Sequence, residues 1–274
     1  MKSLADELFL QIKGTDGKAQ IETYALNTPR IALYKSWTGS MDEGWTRWLF
    51  EQFEFPFKNI FDADIKAGKI KAKFDVLVIP DMNTQSIVNG HKKGTISDKY
   101  AGGITEKGVE NIKAFIQQGG TVVLINGGAH FALDKLGVPI GDALQGVRRY
   151  GGRGGPQGIP EFVCPGSLLK MKFDPTHPVC YGMKEEAAAY FSRSCVFNAS
   201  SDVVVAGRYA ARDILMSGYL KGEEYLRYKA AVVEARQGKG KIILLGFSVQ
   251  NRAQPHNTFR LLFNSLFYGA ATTP

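Results

Sequence analysis

Thr121–His130 reads TVVLINGGAH, and the interpretation of this stretch decides the fold. Its first half is an apolar, β-branched run without polar alternation, which suits a strand buried on both faces, as in a parallel sheet. Asn126-Gly127-Gly128 then predicts a sharp strand-to-helix turn, with a short helix over His130–Leu136 closed by Gly137. In a nucleophile elbow a Ser or Cys occupies such a turn between small residues, and a nearby His takes its proton. Here the small residues and the helix are present, but Asn126–His130 contains neither Ser nor Cys. Two readings of the glycines stay open. They free backbone amides at a helix N-terminus to hold an anion, or they let a helix pack close to a strand.

Working outward, Phe74–Pro80 (FDVLVIP) repeats the buried-strand signature. Asp81–Ile104 reads as a long polar loop, Thr105 as the cap of a helix over Glu106–Gln118, and Gly119-Gly120 as its end. Strand, loop, helix and strand make a βαβ unit, expected to cross over right-handed. Further upstream, Arg30–Ser36 (RIALYKS) is a strand, Ser40-x-x-Glu43 a capping-box pattern, and Asp42–Phe53 a helix with Trp45, Trp48, Leu49 and Phe53 as its apolar face. Lys58–Phe61 reads as a short second strand. Downstream, Lys241–Phe247 (KIILLGF) is the last buried strand and His256–Tyr268 a terminal helix. Between 140 and 255 helices are sparse: the Gly-rich, basic Arg148–Pro160 precedes strand-like stretches at Phe162–Phe173, Ala189–Phe197, Val203–Arg208 and Ala230–Ala235. The chain therefore divides into an N-terminal helix and linker over 1–29, where Leu4, Leu8 and Ile12 recur at helical spacing, and one α/β domain over 30–274. That domain is a parallel sheet flanked by helices, with a β-rich insertion or extension at about 148–235.

A chain of 274 residues supports a sizeable core, and its 44% hydrophobic and 22% charged residues are ordinary for a globular protein. No apolar run approaches the ~18 residues needed to span a bilayer, so no membrane association is expected. Asp6 and Glu7 interrupt the only early apolar stretch, which therefore is not a signal peptide; the chain is read as cytoplasmic or as a fragment that has lost its leader. The net charge of +8 comes from scattered residues, the densest run being Lys66, Lys69, Lys71 and Lys73, followed by Lys92 and Lys93. Without interleaved aromatics this reads as a solvated basic face, not a nucleic-acid platform. Cys164, Cys180 and Cys195 are too few and too widely spaced for a disulfide framework and read as buried free thiols, with one bridge open to an exported chain.

In open α/β sheets ligands bind outside the carboxyl ends of the strands. The candidate ligand-binding residues there are Trp37 and Asp42 after the first strand, Asp81 after the third, then Asn126, Gly127, Gly128 and His130, and finally Gln250, Arg252 and His256. Ser248 and Asn251 stand among the last group. None of His91, His130, His177 and His256 begins an HxxE or HExxH motif, so no zinc site is expected from local motifs. No catalytic residue is assigned. His177, three residues before Cys180, is the only local hint of an activated thiol. Gly151–Gly158 lacks a GxxxxGK[ST] pattern and reads as a loop rather than a phosphate cradle. Trp37, Trp45 and Trp48 are expected in the core or a pocket wall. Phe259, Phe263 and Phe267 on the terminal helix are expected to pack in the core, with self-association as the other use of that face.

One family unites these pieces. IALYKSWTGSMDEGWTRWLFEQF, FDVLVIPD, YAGGITEKGVENIKAFIQQGGTVVLINGG, CPGSLL, DPTHPV, YGM, FSRS, GEEYL and GFSVQNRAQPHNTFRLLFNSLF together resemble the C-terminal domain of bacterial zinc-carboxypeptidase-like proteins of the M14 peptidase family. The match spans about residues 30–268. That domain is similar to class I glutamine amidotransferases, so the resemblance implies a flavodoxin-like sheet. It also implies a parent protein, usually exported, with an N-terminal zinc peptidase domain; 1–29 then belongs to the connection between domains. The HxxE motif of that peptidase is absent here, so its zinc would belong to a domain outside this chain. True amidotransferases carry a Cys in the elbow and a His-Glu pair downstream, and no such Cys stands at 126–130. The resemblance therefore implies a non-catalytic accessory domain, partnered in cis or in trans by a carboxypeptidase-like domain. The other expectation is a hydrolase or small-ligand-binding domain using Asp81, His130, Arg252 or His256 at the strand ends.

Overall fold

The computed structural model describes residues 2–9, 11, 16–17, 23–149 and 159–271. In chain order the strands are β1 (Ile31–Tyr34), β2 (Phe57–Ile60), β3 (Val76–Ile79), β4 (Thr121–Ile125), β5 (Ile140–Asp142), β6 (Ser167–Phe173), β7 (Glu186–Phe191), β8 (Phe197–Ala199), β9 (Val204–Tyr209), β10 (Leu215–Ser217), β11 (Ala230–Gln237) and β12 (Gly240–Leu245). The helices are α1 (Lys2–Glu7), α2 (Met41–Gln52), α3 (Asp62–Ala67), α4 (Ile70–Lys73), α5 (Thr84–Val88), α6 (Thr105–Gln117), α7 (Ala129–Phe131) and α8 (His256–Ala270). All the strands join one sheet with the order β10-β6-β9-β11-β12-β4-β3-β1-β2; β7 pairs with β6, and β5 with β8, off that path. From β12 to β2 neighbours run parallel, and from β11 to β10 antiparallel.

The unbroken apolar strands are explained by helices on both faces. On β4, Val123 and Ile125 point into the cluster formed with Leu49 and Phe50 of α2 and Leu261, Leu262 and Leu266 of α8. Val122 and Leu124 point into the opposite cluster with Ile65 of α3 and Val109, Ile112, Phe115 and Ile116 of α6. The β-rich elaboration continues this same sheet. Leu169, Met171 and Phe173 of β6 share a cluster with Val123, so one core spans both parts.

Several sequence expectations are corrected. The polar stretch Asp81–Ile104 contains α5 and a short turn of helix at Asp98–Tyr100. Ala189–Phe197 is broken by a turn between β7 and β8. Ser40 caps α2, accepting from the Glu43 amide at 3.2 Å, but Glu43 does not reach back to complete the box; its carboxylate accepts from Asn59 at 2.8 Å. Thr105 is not a cap, because its hydroxyl donates to the Ile104 carbonyl. The α1 helix stops at Glu7 and leaves Leu8 exposed; Ile12 and the Gly151–Gly158 stretch lie outside the described residues. Lys71 of the basic run pairs with Asp75, which also receives two side-chain nitrogens of Arg30. Those cations hold the Asp75 carboxyl well below its ordinary range.

Leu124 is fully buried in the centre of the sheet. Leu124→Ala is expected to lower unfolding free energy by about 2–5 kcal/mol through lost burial and a residual cavity, read as a reduced denaturant midpoint.

Candidate functional site

At the carboxyl ends of β3 and β4 the polypeptide forms a clamp around one carboxylate. Asp81, just past β3, accepts from the Asn126 side-chain amide (Nδ2 to Oδ2, 2.8 Å) and from the Gly127 backbone N–H (3.0 Å). Asn126 occupies the elbow position with φ +48°, the left-handed region that asparagine enters more readily than most residues. Its side chain is almost fully buried, and Nδ2 is fixed as the donor by its acidic partner. The glycines are required by close approach. A Cβ on Gly127 would lie 2.4 Å from Asp81 Oδ1, and one on Gly128 would lie 2.7 Å from the Pro80 carbonyl. This geometry favours the tight-turn reading. The Gly127 amide, which the anion-binding reading left free for a ligand, is engaged by the protein's own carboxylate.

The helix α2 brings its N-terminus to the same place. The Ser40 hydroxyl donates to the Asp81 carbonyl at 3.0 Å, and Asp42 follows in the first turn. Burial pushes the Asp42 carboxyl up to about 6, and the negative charge of Asp81 adds to the shift, while Ser248 and Arg193 oppose it. Asp42, Asp81, Asn126 and Ser248 thus form one polar cluster over the strand ends, within the field of the Arg193 charge. Below it, Cys195 donates to the Asn126 carbonyl at 3.1 Å, so its thiol serves the elbow as a buried donor. Burial pushes the Cys195 thiol far up, and the Cys180 thiol up to about 12. Thiols held protonated in this way are poor nucleophiles.

The remaining candidate residues spread around this cluster. Trp37 is 38% exposed, stacks on Phe61 (centroids 4.6 Å apart) and packs at a tilt against Tyr100 (4.4 Å), while its carbonyl contacts His91. Gln250 is fully buried, and its Nε2 donates to Thr46 of α2 at 2.9 Å. His130 has no hydrogen bond to the cluster among the described residues. Arg252 and His256 are exposed on the segment leading into α8, and the His256 ring turns back to the Ala253 carbonyl at 3.1 Å. The structure therefore brings together Asp42, Asp81, Asn126 and Gly127, while Arg252 and His256 make no hydrogen bond to them among the described residues.

His177 does not meet the thiol of Cys180. Its Nδ1 accepts from the Val179 amide, which places the proton of the neutral ring on Nε2, 3.1 Å from Glu234 Oε2 in a poorly aligned contact. Cys180 instead donates to the Ala206 carbonyl. Burial pushes the Glu234 carboxyl up, but His177, Arg236 and Tyr268 together outweigh it and hold the group below its ordinary range. This network ties β11 to α8, away from the strand-end cluster. Sequence reasoning missed both Glu234 and Arg193. Arg193, in a left-handed turn after β7 (φ +50°), opposes the rise of the Asp42 carboxyl through its charge, and no local motif signals that. Among the described residues no group of three or more His, Cys, Asp and Glu side chains converges as metal ligands would, and no helix is long and apolar enough to cross a membrane.

No family model and no curated protein matches the sequence. Solved structures do. A GMP synthase-like protein from Thermoplasma acidophilum is similar with TM-score 0.53 and 12% identity, over 89% of this chain and 95% of that one. A ThuA-like protein from Parabacteroides merdae is similar with TM-score 0.50 and 12% identity, over 89% and 90%. A β-galactosidase from Bacillus circulans sp. alkalophilus shares the fold over 87% of this chain but only 30% of its own length, with TM-score 0.50 and 12% identity. At such identities the likeness establishes the α/β fold, here a mixed sheet whose β12-β4-β3-β1-β2 half is parallel, with helices on its faces.

Two measurements test the cluster. A carboxyl whose folded pKa is raised from 3.8 to about 6 holds its proton more tightly when folded, so its contribution to stability declines as pH rises through that interval. Asp42→Asn, which keeps the neutral form, is expected to melt higher than the native chain above about pH 7, with the gain shrinking below pH 6 and gone by about pH 3. Cys164, Cys180 and Cys195 are all buried and free. A colorimetric thiol reagent is expected to label them only slowly in the native chain and to report three thiols once it is unfolded.

Proposed function

We propose that this chain is a non-catalytic accessory domain on a class I glutamine amidotransferase-like, flavodoxin-like scaffold, in which the strand-end cluster engages its ligand or partner without a covalent intermediate. The observation that carries this reading is Asn126. It stands in the left-handed elbow where a nucleophile would sit, its carboxamide is held by Asp81, and the nearest thiol, Cys195, lies beneath it as a buried donor. The fold likeness to the GMP synthase-like and ThuA-like proteins supports the scaffold. The sequence resemblance to the domain that accompanies M14 zinc peptidases names the partner: a carboxypeptidase-like domain, in cis or in trans, which would also hold the zinc.

A second reading rests on Asp42. A carboxyl raised to about 6 is suited to giving and taking protons near neutrality, which makes the cluster the site of a hydrolase acting without a covalent intermediate. The full chain is to be assayed for ammonia release from glutamine and for release of the C-terminal residue from peptides. The accessory reading expects no turnover above the buffer rate. The hydrolase reading expects turnover that falls by about 10²-fold or more in Asp42→Asn, with a pH profile that turns near Asp42's value of about 6.

A further inference from the structure

At the amino ends of β4 and β12, the opposite end of the strands from the Asp81 cluster, the chain forms a recess of about 560 Å³. Its walls are the turn between β11 and β12, the last residues of α8, and Lys71 of α4. Four cationic side chains line it, Lys71, Arg236, Lys239 and Lys241, and among the described residues no carboxylate does. A volume of this size is typical of small-ligand sites.

Contacts within the chain account for the glycines of this turn but not for its charges. A Cβ on Gly238 would collide with the Gln117 side chain, and one on Gly240 with the Ile116 carbonyl, so close packing on α6 requires both glycines. The carboxylates that reach the cations are already shared: Asp75 between Arg30 and Lys71, and Glu234 between Arg236 and His177. Among the described residues Lys239 and Lys241 take part in no ion pair. Lys241 is partly buried, with its Nζ 4.6 Å from the centre of the Tyr268 ring and 3.4 Å from the Tyr268 carbonyl. Burial and the charges of Arg236 and Lys71 push its ammonium down, against the pull of Glu234. Capping the last carbonyls of α8 explains Lys241, but it does not explain why three further cations gather around it. Such self-repulsion costs the folded chain stability, and an anion in the recess relieves it.

We propose that this recess binds a small molecule carrying two or more phosphate groups. A recess lined by charge of one sign concentrates multivalent anions. Three lysines offer point charges to phosphate oxygens, and Arg236 offers a planar fork. Tyr24 and Tyr268, edge-on with centroids 5.5 Å apart, form an apolar flank for the organic part of such a ligand. The cations gather in one recess and not along a groove that could follow a nucleic-acid strand. The site does not depend on what the Asp42–Asp81 cluster binds.

Isothermal titration calorimetry of the full chain with pyrophosphate, inorganic phosphate and a single-stranded oligonucleotide tests this, with far-UV circular dichroism melts confirming that each variant is folded. Pyrophosphate is expected to bind at one site per chain, about tenfold or more tighter than inorganic phosphate, and to raise the melting temperature. Lys239→Gln and Lys241→Gln are each expected to weaken it about fivefold or more. Lys239 is exposed, so its variant keeps the fold even if loss of the partly buried Lys241 does not. Lys92→Gln removes the same charge from an exposed loop outside the recess and is expected to leave the affinity unchanged. The proposal is overturned by a chain that does not bind pyrophosphate, or binds it no more tightly than inorganic phosphate. It is also overturned if Lys239→Gln weakens binding no more than Lys92→Gln, or if the oligonucleotide binds more tightly than pyrophosphate.

Discussion

The carboxylate of Asp81 is the constraint on which the strand-end region depends. It accepts two hydrogen bonds from the β4 turn, while its backbone carbonyl accepts one from the cap of α2. One residue thus holds together the ends of three elements, and even a partly buried carboxylate is costly without such donors. The same two bonds help hold Asn126 in a left-handed conformation that asparagine tolerates better than most side chains. The need for Gly127 and Gly128 follows directly, since the carboxylate and the Pro80 carbonyl occupy the space their side chains would fill.

The chemistry available at the strand ends follows from these internal bonds. At the turn after β4 an amide side chain stands where a nucleophile elbow would carry Ser or Cys, and an internal carboxylate takes up the Gly127 donor. What remains open to exchange is the proton on Asp42, raised by burial and by its proximity to Asp81. The buried ionic network at Glu234 works differently. There His177, Arg236 and Tyr268 surround one carboxylate and join β11 to α8. Removing one partner from such a network leaves a buried charge uncompensated, which is far more costly than losing an exposed pair. The first cluster includes a carboxyl raised to about 6, and the second joins the antiparallel strands to the terminal helix.

Much of the fold was legible in the sequence because its signals are local. TVVLI at 121–125 and VLVI at 76–79 lack polar alternation, and only a strand covered on both faces tolerates that. The strands β1, β3, β4 and β12 and the helices α2, α6 and α8 follow from such runs and from helical spacing. The apolar face of α2 was read less well, because periodicity reports which residues are apolar and not which side the core lies on. Leu49 and Phe50 face inward with Thr46, while Trp48 and Phe53 face solvent. The α5 helix was hidden in a polar stretch whose helix depends on the Asn83 cap and on burial of Ile87 and Val88.

The sequence by itself determined that the chain is an α/β protein, that the turn after β4 has no Ser or Cys, and which residues stand at the strand ends. These properties reside in short windows of residue type and spacing. Only the tertiary structure decided that Asp81 fills the elbow, that Ser248 and the charge of Arg193 act on Asp42 there, and that His177 turns to Glu234 rather than to Cys180. Each of those partnerships joins residues far apart in the chain through strand order and left-handed turns, and hydrogen bonding and burial across such distances leave no local pattern to read.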